Sequence, residues 1–241
     1  ILPLMGKEAY IEALKIHSAY GYKIPYALLQ GRPPFRSPHH QSSAAAIIGS
    51  DDVPGELALA HGGVLFLDEI PEFRRDIIEA LREPLETATI QLARAKKKIF
   101  WKCKTILITA TNNCPCGWFG SKKKLCTCST QKLISYQQKL SGPILDRIDI
   151  HFTMPEPSLN PAEVCVCLYN NKNQISVTKK LREHVLEVHK FQQSRNKAFG
   201  IEFNRDIPSN NLLAISGLKE KEFINLINKY AANTASNRSV V

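Results

Sequence analysis

The sequence has no long run of apolar residues, and its acidic residues are outnumbered by basic ones. No apolar stretch approaches the roughly 18 residues of a membrane-spanning helix, and Ile1 to Lys7 lacks the layout of a signal peptide. We therefore expect a soluble, cytoplasmic protein with no membrane partner. The chain has 32 Lys plus Arg against 22 Asp plus Glu, a formal net charge of +10. This imbalance favours a polyanionic partner such as nucleic acid, although an inert basic surface has the same composition.

The cysteine pattern argues against a secreted disulfide framework. There are seven cysteines, an odd number, and four of them form two Cys-x-Cys pairs within residues 114–128, which suits metal binding in a reducing compartment. Four thiolates are enough for a tetrahedral, structural zinc site; they are Cys114, Cys116, Cys126 and Cys128. Because the spacing within each pair is shorter than usual, free buried thiols or a redox pair are the alternative. The other three, Cys103, Cys165 and Cys167, are interpreted as buried apolar residues.

Continuous apolar runs predict the strands of a parallel sheet. Val64 to Leu67 is the clearest run, because two glycines precede it and Asp68 and Glu69 close it. Thr105 to Ala110 is a second run, and Ile148 to Met154 is a weaker third. Apolar residues at helical spacing between the first two runs predict a crossover helix. This part of the chain is therefore expected to be α/β.

Two further segments have recognisable patterns. Thr89 to Arg94 and Ile99 to Lys104 alternate in polarity around a basic tip, which predicts a hairpin. Its lysines are candidates for nucleic-acid contact; they are Lys96, Lys97 and Lys98. Residues 31–40 are rich in proline and are expected to be extended. The adjacent His39 and His40 should point to opposite faces of such a segment, which favours a structural role over metal binding.

The composition changes after two prolines near residue 156. No further strand pattern follows, and apolar residues at helical spacing predict two helices, around 181–188 and 223–230. We therefore predict an α/β domain over 1–155, with the basic hairpin at about 88–104 and the cysteine loop at 114–128. A small all-α domain is predicted over 156–241.

Polar residues at the strand ends predict phosphoryl-transfer chemistry. Asp68 and Glu69 follow a buried strand at the edge where open α/β sheets bind ligands. Asp68 is the predicted Mg²⁺ ligand and Glu69 the predicted base for the attacking water, although a buried strand with an acidic exit has the same sequence. Asn112 is predicted to sense the γ-phosphate or position water, or is simply a turn residue. Arg147 is a candidate arginine finger for an adjacent subunit, unless it forms a surface pair with Asp146.

A basic and aromatic loop lies between the two cysteine pairs. Lys122, Lys123 and Lys124 occupy this loop, and Trp118 and Phe119 are close in sequence. Lysines neutralise phosphates and aromatic rings stack on bases, so the loop is a candidate DNA contact. A solvated run of charge explains the lysines nearly as well.

The ordered set of motifs resembles one family over nearly the whole chain. The motifs are Arg32 to His40, Pro54 to Leu57, Leu59 to Glu69, Leu81 to Glu86, Asn112 with the following Cys-Pro-Cys-Gly, and Leu140 to Asp149. Together they closely resemble the magnesium-chelatase-like AAA+ ATPases of the ComM (YifB) type. The resemblance implies an AAA+ parallel sheet with an all-α lid, ATP and Mg²⁺ as cofactors, and a homo-hexameric ring. For the ComM type it also implies a DNA helicase or branch-migration motor used in natural transformation.

The resemblance assigns roles to individual residues. Asp68 and Glu69 match the Walker B carboxylates, Asn112 matches the sensor-1 residue, and Arg147 matches the arginine finger. Arg238 matches the start of the sensor-2 helix and is a candidate γ-phosphate ligand from the lid. One small departure is Asn113, which stands where the family usually has proline.

The serious departure is that the 241 residues contain no G-x-x-x-x-G-K-[ST] phosphate-binding loop. The strand that precedes this loop in the family is missing as well. The chain also lacks an initiator Met, so we expect it to be a piece of a longer polypeptide and inactive as an ATPase by itself. Two alternatives remain open. One is a chelatase-type ATPase acting on a protein partner, and the other is a non-catalytic, zinc-stabilised nucleic-acid-binding module.

Overall fold

The computed structural model describes residues 2–19, 21, 23–50, 53–94, 97–140, 142–145, 147–154, 174–201, 204 and 207–230. The chain forms two compact units, one spanning Leu4–Ile148 and the other combining Ile1–Pro3 with Asp149–Val241. The expected domain boundary near residue 156 lies outside the described residues.

The larger unit alternates short helices and strands. Its helices are α1 (Lys7–Ser18), α2 (Tyr26–Leu29), α3 (Ala44–Ile48), α4 (Glu56–Leu59), α5 (Arg75–Ala80), α6 (Arg82–Thr87), α7 (Thr130–Gln138) and α8 (Gly142–Leu145). Its strands are β1 (Phe35–Arg36), β2 (Gly49–Ser50), β3 (Val53–Pro54), β4 (Val64–Leu67), β5 (Thr89–Arg94), β6 (Lys97–Lys102) and β7 (Ile106–Thr109). Ser129 caps α7 by accepting a hydrogen bond from the Lys132 N–H.

A three-stranded parallel sheet in the order β1-β4-β7 positions the site. The central strand pairs with β7 along its whole length, from Val64 opposite Ile106 to Leu67 opposite Thr109. Leu65 and Leu67 are fully buried in the main core, where they meet apolar residues of α3, α4 and α5. The α/β class predicted from the apolar runs is therefore confirmed.

The opposite face of this sheet is apolar and partly exposed among the described residues. Because side chains alternate along a strand, the register places Phe35, Phe66, Ile106 and Ile108 on one face. Phe35 remains 65% exposed, Ile106 48% and Ile108 46%. The sheet is thus buried on one side and apolar but accessible on the other.

The smaller unit is helical where it is described. It contains α9 (Gln174–Asn196), α10 (Leu212–Ser216) and α11 (Glu220–Tyr230), with single 3₁₀ turns at Lys197–Phe199 and Ser209–Asn211. Its small core consists of Ile207, Leu212 and Ile215, against which Ile201 and Phe223 pack. These helices agree with the helical part of the predicted fold class; the bounds of the predicted domain, 156–241, stay a prediction, because residues 155–173 and 231–241 lie outside the described residues.

The crossover between β4 and β7 differs from the single crossover helix predicted between the first two apolar runs. It contains a 3₁₀ turn at Ile70–Glu72 and then two short helices that meet at Leu81. Pro84 explains the break, because its ring collides with the carbonyl of Ala80 and it has no N–H to donate. The apolar spacing still predicts which side chains are buried, since Ile77 and Leu81 lie in the core.

The basic hairpin forms, but its second strand is shifted from the prediction. Strand β6 covers Lys97–Lys102 rather than 99–104, and Arg94 pairs with Lys97. A two-residue connection allows both strands to pair up to their ends, which explains the shift. Lys97 and Lys98 therefore lie in the strand rather than in the tip, and Lys96 lies outside the described residues.

The third strand predicted over Ile148–Met154 does not form. Residues 148–154 are in no helix or strand, and Ile150, Phe152 and Met154 are largely exposed. A strand needs the N–H and C=O groups of a neighbour, and no strand of the described ranges pairs with this segment. The prediction of a third strand here was wrong.

Candidate functional site

The ends of β4 and β7 bring three predicted site residues to one edge of the sheet. Asp68 and Glu69 follow Leu67 directly, and Asn112 lies in the loop after β7. The two strand ends remain bonded beyond the ladder: the Ala110 N–H donates to the Leu67 carbonyl at 3.0 Å, and the Ile70 N–H donates to the Ala110 carbonyl at 3.1 Å. All three side chains are exposed and accessible to a ligand at this edge.

Glu69 has a left-handed backbone that the sequence did not indicate. Its φ is 50° and its ψ is 46°, one of two positive-φ non-glycine residues among those described. The conformation turns the chain from β4 into the 3₁₀ turn, and the Glu69 N–H donates to Asp68 Oδ1 at 2.9 Å. A non-glycine residue in this region costs about 1–3 kcal/mol, which is typical of functional sites. The surrounding bonds thus fix the backbone from which the Glu69 carboxylate projects.

His40 lies beside Glu69, although sequence reasoning gave it only a structural role. Its Nδ1 is 3.8 Å from Glu69 Oε2. The expectation that His39 and His40 point to opposite faces was wrong, since their ring centroids are only 4.1 Å apart. The reason is that β1 ends at Arg36, so the alternation of a strand does not apply to the turn that follows.

An ion pair anchors the strand that leads to the two histidines. Arg36 in β1 donates to both carboxylate oxygens of Glu56 in α4, at 2.5 and 2.6 Å. Both side chains are partly buried, and this bidentate geometry is the strongest that arginine offers a carboxylate. The pair therefore holds β1 against the helix that precedes the central strand.

His17 of α1 is a buried neighbour of this ion pair. Burial lowers the pKa of the His17 imidazole, and its Nδ1 lies 2.9 Å from the Ala13 carbonyl. Within the described part of the chain, His17 Nε2 is buried and has no hydrogen-bond partner. The neutral imidazole is accordingly the stable form in the folded state.

Arg147 is paired on its own chain. Its guanidinium donates to Glu86 Oε2 at 2.5 Å, and Glu86 itself is mostly exposed. The alternative partner considered from the sequence, Asp146, lies outside the described residues, and so does Arg238.

The four cysteines of the two Cys-x-Cys pairs come together. The sulfur atom of Cys114 lies 3.4 Å from that of Cys116 and 3.8 Å from that of Cys126, and all four sulfurs lie within 4.8 Å of one another. Sulfurs bound at about 2.3 Å in a tetrahedron would be about 3.8 Å apart. Cys128 completes this set of four. The cluster therefore has the size and donor set of a Cys₄ zinc site.

Local backbone geometry builds the cluster. The Gly117 N–H donates to the Cys114 carbonyl at 3.0 Å, and the left-handed φ of 79° at Gly117 suits glycine in this tight turn. The Phe119 N–H donates to Cys114 Sγ at 3.3 Å, and the Cys128 N–H donates to Cys126 Sγ at 3.4 Å. Amide donors aimed at sulfur favour thiolates, the form that binds metal.

The thiols of the cluster perturb one another. The N–H groups of Trp118 and Thr127 lower the pKa of Cys116 to about 5. The Cys128 N–H lowers the pKa of Cys126. Burial and the neighbouring thiols outweigh this effect and raise that pKa to about 12. Clustered thiols thus ionise unequally, because neighbouring negative charges repel. A divalent cation would offset that repulsion.

The loop carried by the cluster exposes both rings and lysines. Trp118 and Phe119 are accessible, Leu125 is almost fully exposed, and the Lys124 ammonium lies 5.0 Å from the Trp118 ring centroid. Lys122, Lys123 and Lys124 are all exposed in the same loop. The structure therefore presents the loop predicted as a nucleic-acid candidate on the surface.

Comparison with known proteins defines the family. The family model described as "Magnesium chelatase, subunit ChlI" matches residues 1–162. The chain belongs to this family. It is 38% identical over 199 residues to the protein YifB of Salmonella typhimurium, which is 82% of this chain and 38% of that protein. It is 36% identical over 198 residues to the competence protein ComM of Haemophilus influenzae, which is 81% of this chain and 37% of that protein. The resemblance indicated by the motifs is confirmed.

Two further similarities are shorter. A probable DNA helicase MCM9 of Arabidopsis thaliana is 33% identical over 96 residues, 40% of this chain and 13% of that protein. The crystal structure of NtrX from Brucella abortus in complex with ADP aligns over 42% of this chain and 23% of that one, with 21% identity and a TM-score of 0.29.

No helix among the described residues is long and apolar enough to span a bilayer.

Proposed function

We propose that this chain supplies the hydrolytic edge and the helical lid of an AAA+ ATPase that acts on DNA. The observation that carries the proposal is the placement of Asp68 and Glu69 directly after the central parallel strand, beside the loop that contains Asn112. Ligands of open α/β sheets bind at this edge. The family match and the similarity to YifB and ComM support the same assignment.

Each site residue has a defined role in this proposal. Asp68 holds Mg²⁺, which neutralises charge on the β- and γ-phosphates of ATP, and Glu69 orients and deprotonates the attacking water. Asn112 contacts the γ-phosphate or the water from the neighbouring strand end. Arg147 leaves Glu86 and reaches the nucleotide of an adjacent subunit, as ring assembly would require. Arg238 contacts the γ-phosphate from the lid.

Structural zinc is the second part of the proposal. Cys114, Cys116, Cys126 and Cys128 fill all four positions of a tetrahedral site, so the metal would be structural and would have no open position for chemistry. The site would hold the loop that carries Trp118 and Lys124. Zinc thus contributes to DNA contact by fixing a surface rather than by touching substrate.

The proposed DNA partner rests on charge and on the exposed loop. The net charge of +10 favours a polyanion, and the basic loop offers both lysines and aromatic rings. Relatives described as a competence protein and as a probable DNA helicase also favour a role on DNA. A homo-hexameric ring, with the lysines facing its pore, is the assembly we propose.

The test uses the product of the complete reading frame that contains this chain, since the relatives are longer than the chain. Mg²⁺-dependent ATP hydrolysis that rises with added DNA and is lost in Glu69→Gln would support the proposal. A reading frame without a phosphate-binding loop, or a purified product that hydrolyses no ATP, would overturn it. In that case the non-catalytic zinc-stabilised binding module becomes the better description. Residues 1–241 by themselves should show no turnover.

One observation favours a second function. The matching family is described as a magnesium chelatase subunit, so the ATPase could remodel a protein partner during metal insertion. ATP hydrolysis that ignores DNA and rises with a protein subunit would favour this alternative. Hydrolysis that rises with DNA and falls in variants of the basic loop would exclude it.

A further inference from the structure

We propose that Asn113 is a positioning residue that couples the cysteine loop, residues 114–128, to the edge of the sheet, so that DNA bound by the loop raises the rate of ATP hydrolysis. This inference rests on the proposed function. The Asn113 side chain donates from Nδ2 to the Phe119 carbonyl at 3.2 Å. Asn112, which directly precedes it, is the residue proposed to contact the γ-phosphate or the water. One side chain therefore joins the loop proposed to bind DNA to the segment proposed to face the nucleotide.

The segment that carries Asn113 is short and is held at both ends. At its start, the backbone N–H and carbonyl of Ala110 are both bonded to the chain at the end of β4. At its other end, Cys114 is fully buried in the cysteine cluster. Only residues 111–113 lie between these two anchors. Because so short a stretch has few conformations with which to absorb a displacement, a shift at the loop reaches Asn112.

Both backbone polar groups of Phe119 are engaged. Its N–H donates to Cys114 Sγ at 3.3 Å, and its carbonyl accepts from the Asn113 amide. Its ring is exposed, as is the ring of neighbouring Trp118, and the Lys124 ammonium lies 5.0 Å from the centroid of the latter. A base that stacks on these rings therefore contacts a residue whose backbone is bonded to the strand end. Binding of DNA is thus transmitted through the Phe119 carbonyl to Asn113.

The cysteine loop does not need Asn113 to close its own turns. The Gly117 N–H donates to the Cys114 carbonyl at 3.0 Å, and the Ser121 N–H donates to the Trp118 carbonyl at 3.1 Å. These bonds and the sulfur cluster define the loop from within. The bond from Asn113 runs instead from the strand end to the loop, so it is a physical connection between the two proposed sites.

The experiment measures steady-state ATP hydrolysis by the complete protein with and without a saturating single-stranded oligothymidine. Asn113→Asp keeps the size of the side chain but leaves no N–H to donate. We expect the ratio of kcat with DNA to kcat without DNA to fall about fivefold, the effect of losing one ordinary hydrogen bond. Zinc content and the Kd for the oligonucleotide should change little, because the loop closes its own turns.

Two further variants serve as references. Asn113→Gln retains an amide donor on a longer side chain and should keep most of the stimulation by DNA. Asn225→Asp is the matched control, because it makes the same change of charge at an exposed residue of α11. Its stimulation ratio should equal that of wild type.

The outcomes separate this inference from the proposed function. A wild-type protein that hydrolyses no ATP, or whose hydrolysis ignores DNA, refutes the DNA-acting ATPase and the coupling with it. A stimulated wild type with an equally stimulated Asn113→Asp variant refutes only the coupling. A loss of stimulation that comes with a loss of zinc or of DNA binding shows a structural role and also refutes it, as does an equal loss in Asn113→Gln or Asn225→Asp. If Asn113→Asp fails to fold, Asn113→Ala takes its place with the same expected fall, and normal stimulation in Asn113→Ala refutes the coupling.

Discussion

Arg36 and Glu56 form a two-point ion pair that joins the first strand of the sheet to α4, with N–O distances of 2.5 and 2.6 Å. Neither side chain is more than a third exposed. The pair joins β1, which leads into the turn with His39 and His40, to α4, which precedes the central strand. Loss of the ion pair should therefore lower the stability of the fold more than it changes the chemistry of the site.

We expect Arg36→Ala to lower the free energy of unfolding by about 2 kcal/mol, because it leaves a partly buried carboxylate without its partner. Arg36→Lys should cost about half as much, since lysine keeps the charge but not the two-point geometry. Urea unfolding measures both. The matched control is the exposed pair of Arg74 with Asp76, where Arg74→Ala should change stability by less than about 0.5 kcal/mol. Equal effects at the two pairs would contradict the prediction.

Buried His17 should make stability depend on pH. Its pKa is lowered in the folded state, so the unfolded chain binds the proton more tightly. The contribution of His17 is therefore fully present above the ordinary pKa of 6.5 and is lost as the pH falls below it. Unfolding midpoints in urea at pH 7.5 and 5.5 should differ less in His17→Gln than in wild type. Exposed His184 provides the control, and His184→Gln should leave the difference unchanged.

Zinc binding should depend on the clustered cysteines alone. We expect elemental analysis of the purified protein to find one zinc per chain, and Cys114→Ser or Cys126→Ser to lose it, because a four-ligand structural site tolerates no missing ligand. Cys103→Ala should keep the metal, since Cys103 is buried elsewhere, near the Pro84 carbonyl. Acid should release the zinc as thiolates take up protons. A protein that is fully folded and free of zinc after chelation would contradict a structural role.

Arg147 should act across a subunit boundary. Arg147→Ala in the complete protein should lower kcat by about 10³-fold, the usual effect of losing an arginine finger. Mixing Arg147→Ala with Glu69→Gln subunits should restore part of the activity, because some interfaces then combine an intact Glu69 with an intact Arg147. Glu86→Gln, which removes the partner of Arg147 on its own chain, should leave kcat near that of wild type. Failure of the mixture to recover would place Arg147 outside the neighbouring site.

The loop on the cysteine cluster should bind DNA through charge and stacking. Replacing Lys123 and Lys124 by Gln should weaken binding to single-stranded DNA and flatten its dependence on salt. Trp118→Ala should weaken binding with the salt dependence unchanged, because stacking involves no counterion release. Fluorescence anisotropy at several salt concentrations distinguishes the two effects. The control with the same loss of charge is a double variant on α1, Lys7→Gln with Lys15→Gln. An equal loss of DNA binding in this control would show that the loop lysines attract DNA only through non-specific charge.

The sequence predicted best what depends on local pattern. The apolar run Val64–Leu67 gave the central strand with its bounds, and the two Cys-x-Cys pairs gave a cluster of four sulfurs. The prediction failed where the outcome depends on distant neighbours. The weaker apolar run Ile148–Met154 predicted a strand, but an apolar run does not supply a pairing partner.

The two features of the site that the sequence did not predict are both consequences of tertiary structure. Nothing in the run around Glu69 marks a left-handed residue, because glutamate rarely adopts that conformation and the turn into the crossover imposes it. The contact of His40 with Glu69 joins residues that are far apart in sequence, so only the pairing of β1 with β4 brings them together. The one available signal was the presence of His39 and His40 at the end of the segment, residues 31–40, that was expected to be extended.

The partly exposed apolar face of the sheet should determine how copies of this chain associate in solution. Phe35, Ile106 and Ile108 lie on this face and are each between 46% and 65% exposed. Surfaces of this kind attract one another in water, and the outer edge of β7 has no partner strand among the described residues to blunt it. Residues 1–241 expressed alone should therefore associate with one another through this face and form assemblies of several sizes. Detergent-sensitive activity or binding measured with that material would report adhesion between copies rather than the chemistry of Asp68 and Glu69.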